Sequence, residues 1–339
     1  MTRLKHYITA NLSSLFISIF LPLFAIASVI LFIKLATYTA VIQLSVWEMT
    51  KLYIFRLPEI LFYTLPISFF IASALSLLKL SNDNEIVVIF ALGIKPSYII
   101  KTLLKPALLL SMVLILDFLI LFPHATVLSA NFVSYKKSEA KFNLEASEFG
   151  NSFGDWLLYL GKKENDGSFS KVFLFNKKEK EEILIAAKKA ELLNDSGILK
   201  LKLYDGEGYS YSKEKFTQIN FETMIINDTM KTDMRVYKRP LEFWLSDDRA
   251  KDKKQMLITD LLMSLFPVLC LFFVVTIGVV HARHGKSQIY LFLFVGIILY
   301  YGATIGLQNA LGYYTIPTVI LTWLISTYIM YRKTILSRF

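Results

Sequence analysis

Few side chains in this sequence have the types and spacing that bond chemistry needs. It contains no G-x-x-x-x-G-K-[ST] phosphate loop, no H-E-x-x-H zinc helix and no G-x-S-x-G turn with acid and His partners. His281 and His284 flank Arg283, and this spacing could hold a metal ion. No Cys or acid stands beside them, so we interpret the segment as a basic loop. We therefore expect no catalytic residue, no metal and no cofactor in this chain.

Two acids fall in or beside apolar runs. Asp117 precedes Phe122-Pro123 by a few residues, and Asp260 opens a later run. An acid inside a membrane is a candidate proton relay. Both residues lie within two turns of an expected interface, so solvation or pairing is the alternative, and a proton-coupled transporter would place its acids at mid-membrane.

The elements that carry these residues are mostly membrane helices. The chain of 339 residues is 55% hydrophobic with a mean hydropathy of +0.49. Several apolar runs could cross a hydrocarbon core of roughly 30 Å. We predict six transmembrane spans, at about 12–33, 57–78, 105–122, 261–280, 289–307 and 313–331. The first is too long for a signal-peptide core and lacks a cleavage pattern, so we expect it to be retained.

The positions of Lys and Arg in the short loops indicate the orientation. Most of these residues fall in the tails and loops on one side of the predicted spans. The short segments on the other side carry chiefly Lys34, Lys51 and Arg56. Both termini and the segment 81–96 are therefore predicted to be cytosolic, with the polar middle of the chain on the far side. The basic residues on the predicted cytosolic side are Arg3, Lys5, Lys79, Lys95, Lys101, Lys105, Arg283, Lys286, Arg332, Lys333 and Arg338.

The polar middle, 123–254, reads as a β domain between the third and fourth spans. Apolar and polar residues alternate in Leu199-Lys200-Leu201-Lys202-Leu203, which indicates one buried and one wet face. Turn residues separate the strand-like runs and include Asp205-Gly206. An open barrel or a jelly-roll-like sheet is the expected architecture. The predicted strands are 156–160, 171–175, 183–187, 198–204 and 216–226.

The segment 81–96 between the second and third spans has the pattern of a short amphipathic helix. Asn82 and Asp83 can cap its start, and Gly93 with Pro96 can close it. Such a helix, with an acid in its first turn, suits the docking of a cytosolic partner. The residues predicted to face that partner are Asp83, Glu85, Ile86, Val87 and Phe90.

Charged residues and glycines mark two other candidate sites. Lys34 ends the first span, and we expect Arg56 and Glu59 at the same level in the second. They could form a basic opening that attracts the phosphates of an anionic lipid, or only a snorkelling lysine and an interfacial ion pair.

Gly302 and Gly306 form a G-x-x-x-G pattern that favours a role in packing between subunits or in a gate.

The net charge of +10 would suit nucleic acid, but much of the excess lies at the predicted cytosolic membrane edge, where anionic lipid explains it. No nucleic-acid partner is expected.

The single Cys270 lies in an apolar run, so the β domain can hold neither a disulfide nor a Cys metal site.

Four runs around the second span carry a resemblance to a known family. They are Leu57-Pro58-Glu59, Leu65-Pro66-Ile67-Ser68-Phe69-Phe70, the segment from Leu78 to Val88, and Ala91-Leu92-Gly93-Ile94. With these runs the sequence resembles the LptF/LptG permease family of lipopolysaccharide export, over nearly its whole length. Asn82-Asp83-Asn84 stands where family members often have a Ser-Glu-Ser-like run. Lys171 to Phe175 and Arg283 to Lys286 are more similar to the F type than to the G type.

This resemblance implies an α-helical membrane protein with six transmembrane helices and a periplasmic β-jelly-roll-like domain inserted between helices 3 and 4. It implies domains at 1–122, 123–254 and 255–339 in a subunit of the bacterial inner membrane. The subunit would pair with its paralogue around a cavity open to the outer leaflet. It would extract lipopolysaccharide and pass it to a periplasmic jelly-roll bridge protein with a single membrane anchor.

Energy would come from a cytosolic ATPase homodimer, which binds ATP and Mg²⁺, while this chain catalyses nothing itself. Glu85 matches the acid that family members present to the ATPase, and Lys34 matches their basic residues near the end of the first span. Three alternatives stay open at this stage. They are another lipid or lipoprotein ABC permease, a secondary transporter, and a structural membrane scaffold.

Overall fold

A computed structural model describes the chain over eleven segments that fall into two compact units. One unit comprises Met1–Ala36, Glu48–Leu128 and Tyr237–Phe339, and the other comprises Thr37–Trp47 and Ser129–Val236. The first is helical, and the second contains the β-sheet. The described residues are 2–39, 44–142, 149–153, 156–164, 167–178, 181–195, 198–212, 215–227, 240–245, 250–279 and 288–337.

Ten α-helices are described in chain order. Two π-helical turns, Asp117–Leu121 and Arg332–Leu336, and one 3₁₀ turn, Gly312–Tyr314, adjoin them. The helices are α1 Thr2–Thr39, α2 Val46–Asn82, α3 Glu85–Ala91, α4 Ser97–Leu116, α5 Phe122–Phe142, α6 Pro240–Leu245, α7 Ala250–Leu269, α8 Leu271–Gly278, α9 Ile289–Leu311 and α10 Thr315–Tyr331.

Within the described residues, four helical stretches are long and apolar enough to cross a membrane, or five if one bent pair counts as a span. The sequence predicts six. The difference arises because the predicted fifth and sixth spans both fall in the stretch Ile289–Leu336. The other stretches are Arg3–Thr37, Val46–Asn82, Ser97–Ser134 and the bent pair Lys251–Leu269 with Leu271–Gly278.

The predicted fourth span is not a continuous helix. Helices α7 and α8 meet at an angle of 43° around Cys270. Pro267 lies one turn before this break and has no backbone N–H to continue the helical ladder, which is a common cause of a kink. The Cys270 thiol contacts the carbonyl of Pro267 at 3.3 Å. The buried cysteine therefore lies at the bend of this span.

Aromatic rings make up the centre of the helical unit. Phe266 lies between Phe70 and Tyr300, with ring centroids 5.2 Å and 4.6 Å away. The Tyr300 hydroxyl donates a 2.6 Å hydrogen bond to the carbonyl of Leu262, which satisfies its polar end in the core. Trp323 packs edge-on against Tyr300 at 5.1 Å. Helices α2, α7, α9 and α10 thus share one core.

The second unit contains a six-stranded antiparallel sheet in the order β1 to β6. All five predicted strands are present, and β1 is an additional strand that the sequence pattern missed. This order is that of a meander, so the described strands do not by themselves confirm a jelly roll, in which strands alternate between two sheets. The strands are β1 Phe149–Phe153, β2 Trp156–Leu160, β3 Phe169–Lys178, β4 Glu181–Asp195, β5 Ile198–Ser212 and β6 Phe216–Asn227.

One face of the sheet is apolar and buried, as the alternation predicts. Leu201 and Leu203 are fully buried, while Lys200 and Lys202 between and beside them are partly exposed. On the opposite side, Lys177 and Glu182 pair across β3 and β4 at 2.9 Å, and the hydrogen bond to Glu182 raises the pKa of Lys177. The buried face also contains Leu158, Leu160, Val172, Leu174, Ile185, Ala187 and Ala190.

The turn predicted at Asp205-Gly206 is wrong, because strand β5 continues through it to Ser212. Asp205 adopts a φ of 48°, and the register with β4 is the same on both sides of it, from Lys189 opposite Tyr204 to Ala187 opposite Gly206. A Cβ atom at Gly206 would lie 2.4 Å from Phe221 Cζ and 2.5 Å from the Ala186 carbonyl oxygen. The glycine is required for close packing inside a long strand.

Candidate functional site

The short helix α3 follows a tight turn and is shorter than the predicted 81–96 helix. Residues up to Asn82 belong to α2, and Asn84, in the turn between the two helices, has a left-handed φ of 61°. Asn84 holds the cap position and makes no side-chain capping hydrogen bond, so the predicted caps at Asn82 and Asp83 are wrong. Gly93 ends the segment with a φ of 81°, as predicted.

Helix α3 is fixed to the helical unit by contacts at both of its sides. Ile86 is only 1% exposed, and Ile89 is also buried. At the end of α2, the Ser81 hydroxyl donates to the Gly278 carbonyl at 3.0 Å, next to the α7–α8 pair. The Tyr7 hydroxyl donates to Glu85 Oε1 at 2.8 Å. A force applied to α3 would therefore reach α1 through the Tyr7–Glu85 bond, and α8 by way of the end of α2.

The outer face of α3 is apolar and exposed. Val88 and Leu92 stand one helical turn apart and are 57% and 75% exposed. Asn84 and Lys95, also exposed, lie at the two ends of this face. An apolar i, i+4 pair with a polar rim is the pattern with which a helix enters a groove of a partner. We call Val88 and Leu92 the docking pair.

The five residues predicted to contact a partner fall into different environments. Asp83 is exposed, and Glu85, Val87 and Phe90 are partly buried. Ile86 contributes to the core, which leaves no side-chain surface for a partner. The predicted set did not include Val88 and Leu92, although two apolar residues at i, i+4 spacing in this segment are visible in the sequence.

Lys34 and Arg56 lie on the pair of helices α1 and α2. Phe32 stacks on Tyr53 with centroids 4.7 Å apart, and the hydroxyls of Ser28 and Tyr53 are 2.9 Å apart. Lys34 follows Phe32 by two residues, and Arg56 follows Tyr53 by three. Both basic residues therefore lie close in sequence to the point where α1 and α2 touch. That they share one level stays a prediction.

The two basic side chains also differ in their electrostatic environment. Arg56 Nη1 contacts Glu59 Oε2 at 2.8 Å in a partly exposed ion pair. Its charge is thus largely balanced within the chain. Lys34 is exposed on α1. Of the two predicted phosphate contacts, Lys34 is the more exposed residue.

The glycines of α9 fall into two kinds of surroundings. A Cβ atom at Gly302 or Gly306 would have no heavy atom within 4 Å. At Gly296 it would lie 2.6 Å from Phe273 Cε1. Gly296 therefore serves packing inside the chain, whereas the G-x-x-x-G face lies open, as a surface for a second helix would.

The described residues contain no group of three or more His, Cys, Asp or Glu side chains placed to hold a metal ion. His281, Arg283 and His284 lie outside the described residues. Cys270 is buried in the helical core, so its thiol has no access to a ligand.

Residues 6–330 match the model of a protein family described as Lipopolysaccharide export system permease LptF/LptG. The chain belongs to the LptF/LptG family. This confirms the resemblance carried by the segment from Leu78 to Gly93. A comparison with curated proteins finds no match.

LptF/LptG is a family of inner-membrane permeases of lipopolysaccharide export and is not a known enzyme family. The membrane assignment agrees with the apolar helices of the described residues. The match covers LptF and LptG together, so the preference for the F type stays a prediction.

Proposed function

We propose that this chain is the transmembrane subunit of an ABC transporter that extracts lipopolysaccharide from the inner membrane. The family match over residues 6–330 carries the proposal, and α3 with its docking pair supports it. A separate cytosolic ATPase homodimer, which binds ATP and Mg²⁺, supplies the energy. The extracted lipid passes to a periplasmic bridge toward the outer membrane.

The physical chemistry of the substrate supports an external energy source. Removing acyl chains from a bilayer costs about 0.8 kcal/mol per CH₂ group, and several chains multiply this cost. The sequence has no phosphate loop to bind ATP. The energy must therefore enter through a partner, and α3 is the part of the described surface best suited to receive it.

The proposed coupling surface consists of the docking pair and the acids beside it. Val88 and Leu92 would enter an apolar groove of the ATPase. Asp83 and Glu85 would set the orientation through charge, because polar groups at an interface rim fix register more than affinity. Val87 and Phe90, which are partly exposed, complete the surface.

The proposed topology has six spans, cytosolic termini and the β-sheet unit in the periplasm, with boundaries near 122 and 255. Ile289–Leu336 has 48 residues and would be about 72 Å long as a straight helix at 1.5 Å per residue. That is twice the thickness of a hydrocarbon core. Gly312, with a φ of 55°, interrupts it at its middle, which supports two spans.

The substrate and the second permease subunit are assigned to two different surfaces. Lys34, which is exposed on α1, contacts the phosphates of lipopolysaccharide, and Arg56 on α2, which pairs with Glu59, adds to the positive field. The face with Gly302 and Gly306 packs against the paralogous permease subunit, which together with this chain encloses the lipid. The β-sheet unit shields the acyl chains on the way to the bridge protein, which has a single membrane anchor and a jelly-roll domain.

Affinity purification of the full chain in mild detergent tests this function. We expect a paralogous permease subunit, an ATPase and lipopolysaccharide to co-elute. If the Val88→Asp chain co-elutes with the paralogous subunit and lipopolysaccharide but not with the ATPase, the ATPase docks on the surface that contains Val88. Recovery of the chain alone, with neither an ATPase nor a glycolipid, would contradict the proposal.

A further inference from the structure

A buried hydrogen bond joins the end of α2 to the end of α8. The Ser81 hydroxyl donates it to the carbonyl oxygen of Gly278 across 3.0 Å, although the two residues are 197 positions apart. Ser81 has no exposed surface, and Gly278, the last residue of α8, is buried as well. The last carbonyl groups of a helix have no partner within that helix. Ser81 therefore supplies a partner to a carbonyl group at the end of α8.

Helices α2 and α8 approach each other closely at this bond. A Cβ atom at Gly278 would lie 2.8 Å from Leu77 Cβ and 2.9 Å from the Ala74 carbonyl oxygen. Leu77 and Ala74 are both fully buried. A close-packed interior has little free volume into which a displaced group can move, so it transmits strain. We therefore expect the two helix ends to move together.

The turn between α2 and α3 leaves little slack between the docking pair and Ser81. Only residues 82–84 separate Ser81 from Glu85, the first residue of α3. The Ser81 carbonyl accepts a 3.0 Å hydrogen bond from the backbone N–H of Asn84, which closes this turn. A displacement of α3 would thus pass to Ser81 through a short stretch of backbone.

Helix α8 can carry such a displacement into the core of the helical unit. Phe273, on α8, packs against Trp323 of α10 with ring centroids 5.7 Å apart. A Cβ atom at Gly296 of α9 would lie only 2.6 Å from Phe273 Cε1. Helix α8 therefore contacts α9, whose open face at Gly302 and Gly306 is assigned to the paralogous subunit.

The hydrogen bond between Tyr7 and Glu85 is a second connection, from α3 to α1. It is exposed, so water competes for both groups and the bond can open at little cost. The bond between Ser81 and Gly278 is shielded from water, and a buried polar group is costly to leave without a partner. Of these two connections, the buried one is better suited to transmit a force.

We propose that Ser81 is a positioning residue for transport, which rests on the function proposed above. Its hydroxyl holds the end of α8 on the end of α2, so that ATP-driven movement of α3 reaches α8 and α9. Without this bond the ATPase still docks, but less of its movement reaches the helices that enclose the lipid. The amount of lipopolysaccharide released per ATP hydrolysed measures this coupling.

The test uses the complex purified in mild detergent with its ATPase and bound lipopolysaccharide. After addition of ATP and Mg²⁺, the phosphate formed and the lipopolysaccharide that leaves the complex are both measured, with a sample without ATP as background. We expect Ser81→Ala to co-elute with the ATPase, because the docking pair is unchanged. The variant should release several-fold less lipopolysaccharide per ATP than the unaltered complex.

Ser68→Ala is the matched control and should keep the ratio of the unaltered complex. Ser68 is also fully buried on α2, but its hydroxyl donates to the Thr64 carbonyl of the same helix at 2.7 Å. Ser81→Cys is a second variant for the case that Ser81→Ala does not fold. Its thiol fills a similar volume but is a weak donor, so it should also lower the ratio.

The proposal is overturned if both Ser81 variants release as much lipopolysaccharide per ATP as Ser68→Ala. It is also overturned if they lose the ATPase as Val88→Asp is expected to, because Ser81 would then only shape the docking surface. An unaltered chain that purifies with neither an ATPase nor lipopolysaccharide would contradict the proposed function itself, before any variant is compared.

Discussion

The hydroxyl of Tyr7 donates a hydrogen bond to Oε1 of Glu85 across 2.8 Å, so the N-terminal end of α1 holds the first residue of α3. The two residues are 78 positions apart in the sequence. We propose that this bond orients the acid of α3 for the ATPase. It connects the docking surface to the helix that also carries Lys34.

Replacing Tyr7 by Phe removes this hydroxyl and keeps the ring. The bond is exposed, so its loss should change the stability little. We expect an unchanged unfolding midpoint and a lower ATPase rate in the assembled complex. Tyr290→Phe, at an exposed position on α9, is the control and should leave the rate unchanged. An unaltered rate in Tyr7→Phe would show that the bond does not orient Glu85 for docking.

The docking pair and the buried side of α3 should respond differently to substitution. Val88→Asp places a charge on an exposed position, so the chain should fold normally but lose the ATPase on purification. Ile86→Ala removes a core side chain and should destabilise the chain by roughly 2–5 kcal/mol. Thermal unfolding and co-purification, measured on both variants, separate the two effects. Retention of the ATPase by Val88→Asp would rule out this face as the docking surface.

Two glycines of α9 form a matched pair for a packing test. Gly296→Ala would press a methyl group against Phe273 Cε1 at 2.6 Å and should cost about 1–3 kcal/mol. Gly302→Ala meets no atom within 4 Å and should gain up to about 1 kcal/mol of helix propensity. The unfolding midpoint of the chain measures both. In the assembled complex, Gly302→Leu should weaken the association with the paralogous subunit, and unchanged association would place that interface elsewhere.

Two glycines of strand β5 offer the same comparison in the sheet. At Gly206 a Cβ atom would lie 2.5 Å from the backbone oxygen of Ala186, which cannot move aside. At Gly208 the nearest atom, the Ile219 carbonyl oxygen, would be 3.8 Å away. We expect Gly206→Ala to cost about 1–3 kcal/mol and Gly208→Ala about 0.5 kcal/mol or less. Equal unfolding midpoints for the two variants would contradict the packing assigned to Gly206.

Lys34 and Lys51 are both exposed. Comparing variants at the two positions distinguishes a specific phosphate contact from a general effect of positive charge. Lys34→Glu should reduce the amount of lipopolysaccharide that co-purifies with the complex by several-fold, because repulsion replaces attraction at the phosphate. Lys51→Glu changes the net charge equally and should have little effect. Equal losses in both variants would mean that the lipid senses only the overall charge of this end of the helices.

Much of the architecture could be predicted from the sequence because it depends on local patterns. Apolar runs near 12–33 and 57–78 lie within observed helices, and the strand 156–160 has the predicted bounds. The alternation at Leu201 and Leu203 identified the buried face. The turn before α3 and the end of the segment after α3 occur at Asn84 and Gly93, two residue types that tolerate a positive φ.

Other features depend on partners that are distant in the sequence, and only the tertiary structure decided them. Whether Ile86 or Val88 faces outward depends on the helices packed against α3. The continuation of β5 through Gly206 depends on Phe221, which fills the space beside the glycine. The sequence determined the family and the types of element, because these follow from residue order, while the exposed and buried faces depend on contacts that folding creates.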